Sequence, residues 1–304
     1  MALRRLVPKP LRAALRRAWN RLRARRARRA FQAAGAEPAW LPPEELPRLH
    51  ARYPAHPSLD PGAGARRKRL EERMEVLAGL LRAFAPPGRE VLELGCGDGT
   101  LAGALAREGW RVCALDVDSA GFDREARAAG VRFLKADAAR VPLREARVAF
   151  AYSYNAFEHL ADPERALGEL ARVLAPGGRA YLHFAPLYFS PWGLHAYEYV
   201  RAPYVQVLFE PAALQAFARG LGEKPRIPYV NAWPAARFRA LFRAPPGRLR
   251  PLFLYETMDA GAVELIERHP ACFKAKGVPF EEFVSSGFEV LFEKPAAELD
   301  IRAP

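Results

Sequence analysis

Cysteine, methionine and histidine are scarce in this chain: three, three and six among 304 residues. The cysteines Cys96, Cys113 and Cys272 are odd in number and unevenly placed. That argues against a disulfide framework and for a reducing compartment. There is no Cys-x-x-Cys pair and no His-x-x-x-His spacing, so no metal site is expected. No apolar run is long enough to cross a bilayer, no internal repeat is present, and the chain is expected to be cytoplasmic. Acids are missing altogether from residues 1–30, which hold eleven Arg and one Lys. The net charge of +13 is therefore misleading: beyond residue 30, 35 basic residues face 34 acids, leaving +1. A nearly neutral domain carries a cationic arm, and charge alone does not call for an acidic substrate.

Half of the residues are hydrophobic, enough for a sizeable core. The most informative stretch is Val91-Leu92-Glu93-Leu94-Gly95-Cys96-Gly97-Asp98-Gly99-Thr100. Val91, Leu92 and Leu94 read as a short buried strand. Gly95, Gly97 and Gly99 remove side chains where the backbone must bend and approach a ligand. Thr100 to Ala106 continues with helical spacing, so this is the first βα unit of a nucleotide-binding α/β domain. A dinucleotide fingerprint would need a glycine where Thr100 stands. A diphosphate would also be repelled by Glu93 and Asp98, whereas a cationic ligand would tolerate both. S-adenosylmethionine, with a sulfonium, an ammonium and no phosphate, suits these residues better than a nicotinamide dinucleotide.

Further pieces follow in order. Strand Arg111–Leu115 ends in Asp116, roughly twenty residues past the turn, where a carboxylate can accept from ribose hydroxyls. Asp118 is expected to be solvated. Strand Val131–Lys135 precedes Asp137-Ala138, and strand Val148–Ser153 leads to Tyr154-Asn155-Ala156-Phe157-Glu158-His159-Leu160. Asp162-Pro163-Glu164 opens a helix in N-cap style. Pro176-Gly177-Gly178 ends it and turns into strand Arg179–Phe184.

From about Arg66 to Phe184 the chain resembles the class I S-adenosylmethionine-dependent methyltransferases, of the type 11 kind. The likeness is carried by VLELGCGDGT, Ala114 to Asp118, Ala136-Asp137-Ala138 before Val141-Pro142-Leu143, Asn155 to Leu160, and Arg172 to Gly178. It implies an α/β fold: a doubly wound, mostly parallel, seven-stranded Rossmann-like sheet with an antiparallel last strand, read here at Phe288–Glu293. It implies S-adenosylmethionine as cofactor, bound by Glu93, Gly95, Cys96, Gly97, Gly99, Asp116, Val117, Asp137, Ala138 and Asn155. In the family Asp137 accepts from the adenine amine and small Ala138 leaves room; Asp137 reads equally as a turn cap. The family's Phe-Asp at the fourth strand is Val148-Ala149 here, which puts local detail in doubt and not cofactor binding.

The acceptor half is less legible. Asn155, His159 and His195 are the catalytic candidates. Asn155 is expected beside the methionine part or the transferred methyl. His159 serves as a base or as a hydrogen-bonded packing residue. His195 lies in an aromatic, turn-rich stretch, residues 186–199, that suits a planar or apolar acceptor or covers the core. His183 reads as structural.

Three segments are expected: a basic helical arm over 1–35, a linker or lid over 36–64, and the catalytic domain over 65–304, with 185–275 as an acceptor-site cap or insertion. In the arm Leu11, Leu15, Trp19 and Leu22 share one face. The arm reads as poorly ordered in isolation, as lying on an anionic membrane surface, or as binding RNA. It resembles a transit peptide except that it has no Ser. Residues 1–30 are expected to be dispensable for turnover of a soluble substrate. A helix over 65–84 carries the stripe Leu70, Met74, Leu77, Leu81 and Phe84, with Arg, Lys and Glu on its other face. The expected function is methyl transfer to a small-molecule or lipid-linked acceptor by in-line displacement. An RNA methyltransferase and a non-enzymatic S-adenosylmethionine-binding regulator remain as alternatives.

Overall fold

The computed structural model describes residues 22–56, 62–197, 199–222 and 227–296. Leu11, Leu15 and Trp19 of the arm lie outside them. The described residues form two units. A sheet unit takes in residues 62–184, 237–255 and 288–296, and a helical unit takes in 22–56, 185–236 and 256–287 apart from the segments outside the description.

In chain order the strands are β1 Glu90–Leu94, β2 Arg111–Asp116, β3 Arg132–Lys135, β4 Val148–Tyr154, β5 Leu174–Phe184, β6 Arg250–Met258 and β7 Ser285–Glu293. They form one sheet in the order β3-β2-β1-β4-β5-β7-β6. β1 to β5 run parallel to their neighbours, and β7 runs antiparallel to β5. This is the expected α/β sheet, with order reversing between β1 and β4, where such folds bind ligands.

The two faces of the sheet bury different residues because side chains alternate along a strand. On one face Phe150, Tyr152, Tyr154 and Tyr181 pack with Leu77 and Leu81 of helix Ala63–Phe84 and with Leu101 and Leu105 of helix Thr100–Arg107. On the other, Phe184 meets Phe238, Phe242 and Phe288 at centroid distances of 4.9, 5.9 and 5.9 Å. Phe238 and Phe242 sit on helix Ala235–Arg243 and are fully buried.

That packing corrects the expectation of an insertion over 185–275. Residues 237–255 belong to the sheet unit, and β6, which starts within them, is an edge strand. β5 also starts earlier than expected. Val148 pairs with Leu174, but Phe150 pairs with Arg179, so Pro176-Gly177-Gly178 forms a bulge. A Cβ on Gly178 would lie 2.8 Å from the Ala175 carbonyl oxygen.

The helical unit also differs from expectation. The arm is helical over residues 22–33, and it buries Ala24, Ala27 and Phe31 in a core with Tyr204, Phe209, Phe273 and Phe283. Phe31 meets the rings of Phe280 and Phe283, both at 5.9 Å. Leu22, expected on the apolar face, is 54% exposed. Three arm arginines are paired within the unit: Arg23 with Glu264, Arg26 with Glu267 and Arg28 with Glu281. The segment expected as a linker holds helix Glu45–Arg52, whose Leu46 and Leu49 enter the same core. Removing residues 1–30 would thus take Ala24 and Ala27 out of a packed interior. No helix among the described residues is long and apolar enough to cross a membrane.

Phe238→Ala removes a fully buried ring from three aromatic neighbours and should cost about 3–5 kcal/mol. Tyr255→Ala, at a site 46% exposed on the edge strand, should cost less than about 0.5 kcal/mol. Urea midpoints of the two variants check this; equal shifts would contradict the assignment of Ala235–Arg243 to the sheet's core.

Candidate functional site

The site grows from the bend after β1. The backbone N–H groups of Gly95 and Cys96 both donate to the Leu115 carbonyl, at 2.8 and 3.0 Å. The chain can turn there because Gly95 adopts φ 73°, and a Cβ would fall 2.3 Å from the Ala156 methyl. Gly97 also has positive φ, but a Cβ there would meet nothing within 4 Å. Its bare backbone faces open space. Asp98 accepts from the Thr100 N–H at 2.9 Å and so starts the following helix.

Asp116 ends β2 and holds this bend. Its Oδ2 accepts from Gly97 N–H at 2.8 Å and its Oδ1 from Asp118 N–H at 3.0 Å. Each carboxylate oxygen can accept again. Asp118 accepts from Ala120 N–H. Val117 is 64% exposed. Past β3, Asp137 accepts from Ala139 N–H at 2.8 Å, which makes it a turn cap, and Ala138 is buried.

A cavity of about 650 Å³ opens over the bend. Glu93, Gly95, Cys96, Gly97 and Asn155 line it, as do Asp98 and Tyr154. Glu93 is only 4% exposed, and its Oε2 has no hydrogen-bond partner. Burial pushes its carboxyl up to about 8, against the opposing pull of the Tyr152 hydroxyl and the Arg73 guanidinium. Arg73 reaches across from helix Ala63–Phe84 and lies 4.9 Å over the Tyr154 ring. The Tyr154 hydroxyl is buried without a partner, and burial pushes it up to about 12. Burial, with Glu93 and Asp116 nearby, raises the Cys96 thiol, so Cys96 contributes backbone and packing rather than a thiolate. Asn155 takes a left-handed φ of 51°, and its N–H donates to the His183 carbonyl at 2.8 Å.

The remaining candidates stand apart. Gly99, Asp116, Val117, Asp137 and Ala138 are not among the residues lining this cavity; Asp116 acts on it through Gly97. His159, on a short 3₁₀ turn, has Nε2 4.0 Å from the fully buried Glu158 carboxylate. His195 belongs to the helical unit, where its Nε2 lies 2.9 Å from the Pro186 carbonyl oxygen. Neither histidine lines the cavity. Sequence reasoning missed Arg66, Arg67, Arg69 and Arg73, which line it from helix Ala63–Phe84.

The residues fit a cation. A buried carboxyl with an unpartnered oxygen invites positive charge, and the Asp116 carboxylate that holds the bend keeps capacity to accept further hydrogen bonds. Residues 92–182 match the model of a family described as a methyltransferase domain. An uncharacterized methyltransferase from Mycobacterium sp. (strain JLS) is 35% identical over 111 residues, 36% of this chain and 44% of that protein. A protein of Mycolicibacterium smegmatis, named a probable S-adenosylmethionine-dependent methyltransferase, is 39% identical over 92 residues, 30% of this chain and 36% of that one. The chain spans about half the length, or less, of these curated relatives. A solved SAM-dependent methyltransferase from Methanosarcina mazei is 17% identical, with TM-score 0.44 over 71% of this chain and 97% of that one. The family match places a methyltransferase domain over residues 92–182, and S-adenosylmethionine is the cofactor of such a domain.

Two outcomes are expected. Asp116→Ala should weaken S-adenosylmethionine binding by about 1–3 kcal/mol, by removing a charged acceptor; unchanged affinity in calorimetry would refute its role. Glu93 must lose its proton to meet a cation, so affinity should rise severalfold, up to roughly tenfold, per pH unit between about pH 6 and pH 7.5. Glu93→Gln should flatten that slope, and a slope that persists would show that another group titrates.

Proposed function

We propose that this protein transfers a methyl group to a small-molecule or lipid-linked acceptor. The observation that carries this reading is the buried, half-unpartnered Glu93 carboxyl beside the glycine bend. S-adenosylmethionine, when bound, supplies an electrophilic methyl on a sulfonium. The protein's own task is then to hold, align and keep dry. Glu93 and the Gly97 backbone serve the cofactor's charged end, and Asp116 serves its ribose. Val117, Asp137 and Ala138 are assigned to the adenine end. Asn155 and Tyr154, at the end of β4, bound the space left for the acceptor.

A base is needed only where the acceptor is a hydroxyl or another weakly acidic group. We assign that proton to His159, whose ring lies near the buried Glu158 carboxylate. His195 is the weaker candidate, because its Nε2 is engaged by the Pro186 carbonyl. A lipid-linked acceptor is supported by the arm: Arg25 and Arg29 are exposed beside Leu22. Such a surface suits an anionic membrane.

Incubation with methyl-labelled S-adenosylmethionine and fractionated small-molecule, lipid and RNA pools tests the reading. Label should enter the small-molecule or lipid fraction. Label confined to RNA, or tight binding with no turnover, would contradict it. For an acceptor hydroxyl, His159→Gln should lower kcat about 100-fold, with cofactor affinity unchanged. A kcat of wild-type size would remove His159 from the mechanism.

A further inference from the structure

The basic residues of helix Ala63–Phe84 differ in whether an acid on the helix matches them. Arg67 pairs with Glu71 at 2.7 Å, and Lys68 lies 3.9 Å from Glu72, both four residues on. Such pairs support an exposed helix face. Arg66, Arg69 and Arg73 are followed at the same spacing by Leu70, Arg73 and Leu77. All three line the cavity over the glycine bend, as does Arg67, whose charge is already matched by Glu71. Among the described residues no ion pair ties Arg66 or Arg69 to a carboxylate, while Arg73 is placed over the Tyr154 ring.

Three guanidinium groups at three- and four-residue spacing on one face repel one another. An anion in the cavity removes that cost. The two acids at the cavity do not fill this role: Asp98 accepts from the Thr100 backbone, and Glu93 is buried beneath Arg73's side of the site. S-adenosylmethionine carries one carboxylate, and one guanidinium fork matches one carboxylate. A guanidinium stacked on a ring keeps its N–H fork, so Arg73 over Tyr154 can serve that carboxylate, and the forks of Arg66 and Arg69 are left over.

We propose that the acceptor is an anion, bearing a carboxylate or phosphate group that Arg66 and Arg69 hold at the mouth of the cofactor cavity. The proposal rests on the methyl-transfer reading and narrows its acceptor class. Arg66 and Arg69 are binding residues here, and the reacting atom of the acceptor lies elsewhere on the molecule.

The test uses the full-length protein saturated with S-adenosylhomocysteine, at about 0.15 M salt to screen diffuse attraction. Octanoate, octyl phosphate and neutral octanamide are titrated in separate calorimetric runs. One of the two anions should bind at least about tenfold tighter than the amide, as a charge-assisted contact implies, and which one wins identifies the group. The double variant Arg66→Gln/Arg69→Gln should lose that preference, keep its melting temperature and keep S-adenosylhomocysteine affinity within about threefold. Lys68→Gln, which removes one charge from the outer face, should keep the preference. Equal binding of amide and anions, no binding of either anion, or a preference lost equally in Lys68→Gln overturns the proposal and leaves methyl transfer standing. Failure of S-adenosylhomocysteine to bind the unmutated protein overturns the methyl-transfer reading itself.

Discussion

The hydrogen bond from Gly97 N–H to the Asp116 carboxylate ties the bend after β1 to the end of β2. With the two N–H groups that converge on the Leu115 carbonyl, it fixes the path of the backbone at the point where the sheet order reverses. The cavity, the exposure of Gly97 and the outward turn of Val117 follow from that fixed path. A single carboxylate thereby holds the loop that shapes the pocket, and each of its oxygens keeps capacity to accept again.

Beneath this bend lies a polar layer uncommon in the centre of a sheet. Glu93, Tyr152, Tyr154, Tyr181 and His183 fall on one face. Tyr181 donates to Glu289 at 2.9 Å, and the His183 Nδ1 is buried without a partner. Burying such groups half-satisfied destabilises the domain, and sites of function are where proteins tolerate it. Burial disfavours the charged form of Glu93, and a cation in the cavity would restore it. The site is thus tuned toward positive charge by desolvation on one side and, at its mouth, lined with guanidinium groups on the other. That separation suits a ligand with cationic and anionic ends.

The cofactor half was legible in sequence because its parts are local: strand, bend and helix occupy one run from Glu90 to Arg107, and Asp116 follows at a spacing set by one βα unit. The other elements depend on partners distant in the chain. β6 was read as part of an insertion because it is an edge strand with no buried residue, so it lacks the alternation that marks a covered strand. Phe238 and Phe242 were read into the same insertion, because nothing local shows their destination under Phe184 and Phe288. The arm looked free because its basic residues are conspicuous, whereas the small face that anchors it, Ala24 and Ala27, is not, and its acidic partners lie beyond residue 260. The arginines over the cavity were hidden among neighbours of the same type, and nothing local in the sequence shows which of them face it.

The most direct test of the account is the electron density of crystals grown with S-adenosylhomocysteine. The account requires the nucleoside to lie over Gly97, with its ribose hydroxyls on Asp116 and its amino group toward Glu93. Density for a diphosphate at the bend, or the nucleoside seated away from Asp116, would contradict it.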